Sequence, residues 1–236
     1  MNLEKTDVVI LCGGLGTRLR ATIGEQQKTM AEVGGRPFMD SLLEYLASQG
    51  FRRAILCTGY QAEKIAEYYK GGKFGMEIKC SPEKEPLGTG GAIKNAQDFI
   101  TSDPFVALNG DSVCHLDYKK FVAVHLERRA EMTLAVVKVP NRQAYGAITL
   151  NAEWRIQGFE EKDEKNSGEG FINTGIYCLN KEALSWMPPQ KFSIEKDFFP
   201  RHLSRRVFAF EFPGEFLDIG TPERFAQANQ MMRKVK

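Results

Sequence analysis

Three glycines in four positions, Gly13-Gly14-Leu15-Gly16, are followed by Thr17-Arg18-Leu19, and a second cation, Lys28, stands some ten residues further on. Glycines at that density let a backbone approach a ligand closely and aim several N–H groups at an anion. Arg18 and Lys28 then set two positive charges where a triphosphate would lie. No Gly-Lys-Ser/Thr closes the loop, so it is not a P-loop. As a dinucleotide fingerprint, Gly14-x-Gly16 would need a small residue at Leu19, and no acid ends the second strand to meet a ribose. Nucleotide binding is the reading, against a plain Gly-rich turn beside solvated Arg and Lys.

Two carboxylates stand out. Asp111 lies just past an apolar run ended by Asn109-Gly110, at the carboxyl edge of a sheet where open α/β folds place ligands. A carboxylate there is a hard oxygen ligand suited to Mg²⁺, with an Asx turn as the alternative. Asp218 sits in the apolar stretch Phe216-Leu217-Asp218-Ile219, where a lone acid is costly unless paired or metal-bound. Its alternative is a helix-capping acid. His115, His125 and His202 share no spacing that suggests ligands, and His125 is expected on a helix surface. Arg201, His202, Arg205 and Arg206 read as a solvated turn.

The elements that must carry these groups alternate strand and helix. Val8–Cys12 is a continuous apolar run that predicts a buried parallel strand. Pro37 suits a first helical position, and Leu42, Leu43 and Leu46 recur on one face before Gly50. Strands are expected over Ala54–Thr58, Met76–Cys80, Phe105–Leu108 and Thr133–Val139, with a helix over Ala62–Lys70. Thr89 is placed to cap a helix from Gly90 to about Phe99. In the helix Asp117–Ala130, Phe121, Val124 and Leu126 are expected to face the core. Beyond Val139, strands over Ala147–Leu150, Trp154–Phe159, Phe171–Cys178 and Val207–Phe212 predict an antiparallel-leaning part. Short helical pieces fall around Lys181–Trp186 and Ile194–Phe199. The last helix, Pro222–Arg233, opens on Thr221 as N-cap and Pro222 at its first position. Its apolar face (Phe225, Ala228, Met231, Met232) reads as core, with a homo-oligomer contact as the alternative.

The expected fold class is therefore α/β: a Rossmann-like mixed sheet flanked by helices, with a smaller second lobe of additional strands. The 236 residues predict one domain, with a nucleotide lobe over about 1–115 and a second lobe over about 140–220. A formal charge of +2 argues against a nucleic-acid binder, whose affinity would come from a basic face. No apolar run approaches the roughly 18 residues of a bilayer span, so no membrane role is expected. The first residues carry acids and no apolar core of a signal peptide. Five cysteines (Cys12, Cys57, Cys80, Cys114, Cys178) without a C-x-x-C fit reduced thiols and a cytoplasmic location.

With Gly13-Gly14-Leu15-Gly16-Thr17-Arg18-Leu19 and Lys28, four further segments occur in order: Glu85-Pro86-Leu87-Gly88-Thr89-Gly90-Gly91-Ala92, Asn109-Gly110-Asp111, Phe171-Ile172-Asn173-Thr174-Gly175-Ile176-Tyr177 and Phe216-Leu217-Asp218-Ile219-Gly220-Thr221-Pro222-Glu223. Together they run nearly end to end, and the chain resembles the sugar-1-phosphate nucleotidyltransferases, or nucleoside-diphosphate-sugar pyrophosphorylases. The compact length and the Glu85–Ala92 segment resemble the members that act on a heptose 1-phosphate.

The resemblance implies a partner set and a site. Leu11, Gly13, Gly14, Gly16, Thr17, Glu85, Gly88 and Thr89 would bind a nucleoside triphosphate, Glu85 facing the base. A carboxylate offers only acceptors, which suits the donor edge of guanine and favours GTP; an exposed loop acid is the alternative. Tyr145, Gly146, Glu160 and Asn173 would bind the sugar of a sugar 1-phosphate. Arg18, Lys28 and Lys162 would be the catalytic cations, and Asp111 and Asp218 would hold Mg²⁺. The implied reaction transfers GMP from GTP to the sugar 1-phosphate and releases pyrophosphate, with uridylyl or thymidylyl transfer, or a non-catalytic nucleotide-sugar-binding paralogue, as alternatives. The family commonly has Pro where this chain has Gln27 and Asp163, and losing those prolines is expected to loosen both loops.

Overall fold

The computed structural model describes residues 2–14, 16–142, 145–160, 168–214 and 216–234. In chain order the strands are β1 (Asp7–Leu11), β2 (Glu32–Val33), β3 (Arg36–Pro37), β4 (Arg53–Thr58), β5 (Glu77–Pro82), β6 (Phe105–Asn109), β7 (Ser112–Cys114), β8 (Met132–Val139), β9 (Ala147–Leu150), β10 (Ile156–Glu160), β11 (Gly170–Leu179), β12 (Val207–Glu211) and β13 (Phe216–Asp218). The helices are α1 (Arg20–Ile23), α2 (Phe38–Gln49), α3 (Ala62–Tyr68), α4 (Gly88–Asn95), α5 (Tyr118–Glu127), α6 (Ala183–Trp186) and α7 (Pro222–Lys234).

Nine strands form one sheet in the order β10-β9-β11-β6-β1-β4-β5, with β8 pairing β11 and β12. The strands β6, β1, β4 and β5 are mutually parallel. The antiparallel strand β11 then continues the sheet beyond β6. The fold is the expected α/β mixed sheet flanked by helices, and its antiparallel strands are hydrogen-bonded into the same sheet. Strand β1 is central because Val8, Val9 and Ile10 are all fully buried. Val8 and Ile10 join the core formed with α2, α3 and α5, while Val9 joins the core on the other face with α4 and α6. Burying each such side chain is worth about 1.5–3 kcal/mol, so β1 anchors both cores.

The chain runs from β1 outward to β4 and β5, then returns to place β6 on the other side of β1. Between β1 and β6 the strand order reverses, and such a switch point leaves a crevice beyond the carboxyl ends of the strands. The loop after β1 and the loop after β6 both open there.

Some details depart from the sequence reading. Helix α4 starts at Gly88, so Thr89 lies inside its first turn rather than capping it. Helix α5 buries Tyr118, Phe121, Val122 and His125, while Leu126 is 47% exposed. Those four positions follow the 3.6-residue period from Tyr118, and the buried stripe takes the His instead of the Leu. His125, expected at the surface, is fully buried because both ring nitrogens have partners: Thr133 Oγ1 and Asn180 Oδ1, each at 2.8 Å. In α7, Ala228 is buried and Phe225 packs beside Phe38, Val33 and Ile219, which makes that part of its apolar face core. Among the described residues no helix is long and apolar enough to cross a membrane.

Burial holds the His125 imidazole below its ordinary value of 6.5, against the opposing Asn180 bond. The native site thus favours the neutral ring, and its contribution to stability is complete above that ordinary value and lost as the pH falls below it. The thermal midpoint of the wild type should fall more steeply than that of His125→Gln between about pH 7 and about pH 5. Parallel melting curves for the two proteins would show that His125 takes up its proton as readily in the folded protein as in the unfolded chain, with no lowering by burial.

Candidate active site

A cavity of about 430 Å³ fills the crevice beyond β1 and β6. Leu11, Gly13, Gly14, Gly16, Thr17, Gly88 and Thr89 line it, together with Arg18, Lys28 and Asp111. A second, smaller cavity of about 190 Å³ is lined by Tyr145, Gly146, Asn173, Asp218 and Arg224. The two share Arg18, Lys28, Asn109, Asp111 and Gly220 as a common wall. Most of the expected nucleotide residues thus surround one cavity and the expected sugar residues Tyr145, Gly146 and Asn173 the adjoining one.

At the common wall Lys28 Nζ lies 2.5 Å from Asp111 Oδ2, with the Lys28 side chain only 12% exposed. Asp218 reaches the same place through a two-stranded ribbon. Strand β13 pairs antiparallel with β7, setting Asp218 opposite Ser112, and the Ile219 N–H donates to the Asp111 carbonyl at 3.0 Å. The lone acid of an apolar stretch is therefore paired: its Oδ2 accepts from Arg224 Nη1 and its Oδ1 from the Gly220 N–H at 2.8 Å. A carboxylate oxygen has two lone pairs, so both acids keep acceptor capacity towards a cation. Among the described residues no three His, Cys, Asp or Glu side chains converge as a metal cluster. A divalent ion on Asp111 and Asp218 would take its remaining coordination from phosphate oxygens and water, a habit of Mg²⁺.

The acid that lines the larger cavity is Glu83, not the expected Glu85. Strand β5 continues through Pro82, and the Glu83 N–H donates to the Thr58 carbonyl at 2.7 Å, so Glu83 is the first residue past the strand. Glu83 lines the cavity, with its Oε1 2.5 Å from where a Gly13 Cβ would stand, and its Oε2 accepts the Leu87 N–H at 2.9 Å. Burial pushes its carboxyl up, opposed by the Leu87 bond. Glu85 is exposed and does not line the cavity, although Pro86 beside it does. The rule that singled out Asp111, an acid directly after a strand, would have found Glu83 had β5 been carried two residues further.

Gln27 reverses another expectation. In place of a stiffening proline it is 1% exposed, and its side chain clamps the turn that carries Lys28. Its Oε1 accepts from the Thr29 N–H at 2.7 Å, the Thr29 hydroxyl at 2.6 Å and the Met30 N–H at 3.2 Å, while its Nε2 donates to the Cys12 carbonyl at the end of β1. The turn is thus held by hydrogen bonds rather than by a ring. Gly88 has φ +72° and lies where a Cβ would come within 2.5 Å of the Phe192 carbonyl. Its glycine requirement comes from packing against that segment.

A chain of side chains links the cavities behind the wall. The Thr89 hydroxyl donates to Glu195 Oε2 at 2.5 Å, the buried Tyr177 hydroxyl to Glu195 Oε1 at 3.0 Å, and Asn173 Nδ2 to the Tyr177 oxygen at 3.0 Å. Asn173 sits at a shift in the β11–β8 register, beside Gly175. There a Cβ would meet Asn109 Nδ2 at 2.1 Å. Glu160 does not line the smaller cavity as described; its carboxylate meets Arg142 Nη1 at 3.3 Å. Lys162 and Asp163 lie outside the described residues.

The nucleotidyl transferase family model matches residues 7–235. The D-glycero-alpha-D-manno-heptose 1-phosphate guanylyltransferase of Aneurinibacillus thermoaerophilus is 36% identical over 233 residues, covering 96% of this chain and 98% of that protein. The protein of the same description from Campylobacter jejuni is 38% identical over 218 residues, 92% of this chain and 96% of its own. Among solved structures, HddC from Yersinia pseudotuberculosis, complexed with GMP-PN, has a TM-score of 0.85 at 38% identity, covering 98% of this chain and all of that one (100%).

Removing the clamp in Gln27→Ala strips the partners from buried backbone groups, at about 1–3 kcal/mol. The expected outcome in differential scanning calorimetry is a Tm lower by several degrees for a chain of this size. An unchanged Tm would show that water replaces the amide at no cost.

Proposed function

The chain belongs to the nucleotidyl transferase family, and from that premise we infer that it is a sugar-1-phosphate guanylyltransferase. The proposed reaction takes GMP from GTP to a sugar 1-phosphate, with heptose 1-phosphate as the favoured acceptor, and releases pyrophosphate. The observation that carries it is the common wall: two adjoining cavities, of about 430 and about 190 Å³, share the cations Arg18 and Lys28. The similarity over nearly the whole chain to heptose 1-phosphate guanylyltransferases supports the choice of base and sugar.

In this reading an oxygen of the sugar phosphate attacks the α-phosphorus of GTP in line. A new P–O bond forms to the sugar phosphate, the bond from the α-phosphorus to the bridging oxygen breaks, and pyrophosphate leaves with those electrons. No side chain becomes covalently attached, so catalysis is positioning and charge neutralisation. Arg18 neutralises the departing pyrophosphate and Lys28 the phosphate at the wall, while Lys162 would pair with the sugar phosphate. Mg²⁺ is the cofactor we assign to Asp111 and Asp218, where it would polarise the α-phosphate and shield the leaving group. Glu83 takes the base-reading role, since its acceptor-only carboxylate suits the N1–H and N2–H₂ donors of guanine. We place the reaction in the cytoplasm, because all five cysteines are free thiols suited to a reducing compartment.

Pyrophosphate release measured over four nucleoside triphosphates and a few sugar 1-phosphates is expected to be highest with GTP and heptose 1-phosphate; a higher rate with UTP or dTTP would replace the assignment of the base. Asp111→Asn should lower kcat by about 10²–10³-fold, the range for a lost electrostatic group, and turnover at the wild-type rate would refute its metal role. Glu83→Gln exchanges one acceptor for a donor and should raise the KM for GTP about ten-fold or more, whereas Glu85→Gln should leave it unchanged.

A further inference from the structure

The smaller cavity contains a cation that none of the sequence motifs singles out. Arg224, in the first turn of α7, lines it with a side chain 27% exposed. Its Nη1 donates to Asp218 Oδ2, and its Cζ lies 4.8 Å from the centre of the Tyr145 ring. The guanidinium is thereby held from two sides, by a carboxylate and by an aromatic face. Among the described residues no other group accepts from it, so four of its five N–H donors remain for a ligand.

Charge accounting separates Arg224 from its neighbours. A phosphate monoester carries close to two negative charges near neutral pH, and a nucleophile of that charge must approach a triphosphate. Arg18 and Lys28 line both cavities and are shared with the nucleotide. Among the described residues Arg224 is the one cation that lines the smaller cavity alone. We propose that Arg224 binds the phosphate of the sugar 1-phosphate, its guanidinium fork taking two phosphate oxygens, with Asp218 and Tyr145 fixing the fork before the substrate arrives. A fork held in advance loses less conformational freedom on binding than a free surface arginine. A lysine at this position supplies the charge without the paired donors. The proposal rests on reading the smaller cavity as the sugar 1-phosphate site.

The test is steady-state pyrophosphate release by the full chain, as wild type, Arg224→Lys and Arg224→Gln, with the KM for the sugar 1-phosphate and for GTP measured in the same preparations. Their ratio does not depend on the fraction of enzyme that folds. The expected result is a rise of about ten-fold or more in the KM for the sugar 1-phosphate in Arg224→Lys, larger in Arg224→Gln, with the KM for GTP within about two-fold of wild type. If both KM values move together, or neither moves, Arg224 serves only as the partner of Asp218 and the proposal is overturned. A wild type that turns over no sugar 1-phosphate at all overturns the functional reading, and this inference with it.

Discussion

The contact between Lys28 Nζ and Asp111 Oδ2 ties the loop that follows β1 to the loop that follows β6, and both cavities form around it. Each partner is delivered by a different constraint. Asp111 is placed by the switch in strand order, which leaves the end of β6 beside the end of β1. Lys28 comes from a turn that returns to β1 and is clamped there by the buried Gln27 amide. A charged pair this close, with the Lys28 side chain largely withdrawn from water, keeps its geometry when the backbone on both sides is rigid. The two fully buried faces of β1 supply that rigidity.

The same economy governs the rest of the site. Each expected metal carboxylate faces a cation of the chain itself, Asp111 with Lys28 and Asp218 with Arg224. The like charges that two neighbouring acids would present are thereby offset. Phosphates and a divalent ion entering the wall would exchange partners with these groups rather than add charge to an empty space. This is why a chain of net charge +2 can handle polyphosphates: the positive charge is local and already directed. Behind the wall, the Thr89–Glu195–Tyr177–Asn173 series fixes side chains of both cavities to one buried frame.

Much of this was legible in the residues. The apolar run of β1 and the glycines after it identified the first strand and a ligand loop, and Asp111 followed from its place at a strand end. Register was legible only where a strong period exists. In α5 the stripe through Tyr118, Phe121, Val122 and His125 was hidden, because a histidine does not signal burial by its type. Glu83 and Glu85 are chemically the same, and only the length of β5 decides which one lines the cavity. Gln27 read as a missing proline, since a side-chain amide shows its partners only after the chain has folded.

The sequence by itself determined the alternation of strands and helices, the glycine-rich loop and the types of group that line the site. Those properties depend on neighbours a few residues apart, through periodicity and local backbone freedom. Only the tertiary structure decided that the β7–β13 ribbon brings Asp218 to the same cavity as Asp111, that Glu83 rather than Glu85 lines the larger cavity, and that Arg224 stands in the smaller one. Those outcomes depend on pairings between segments far apart in the chain. Strand ends, crossover order and helix placement set them, and none of these is encoded within any one short segment.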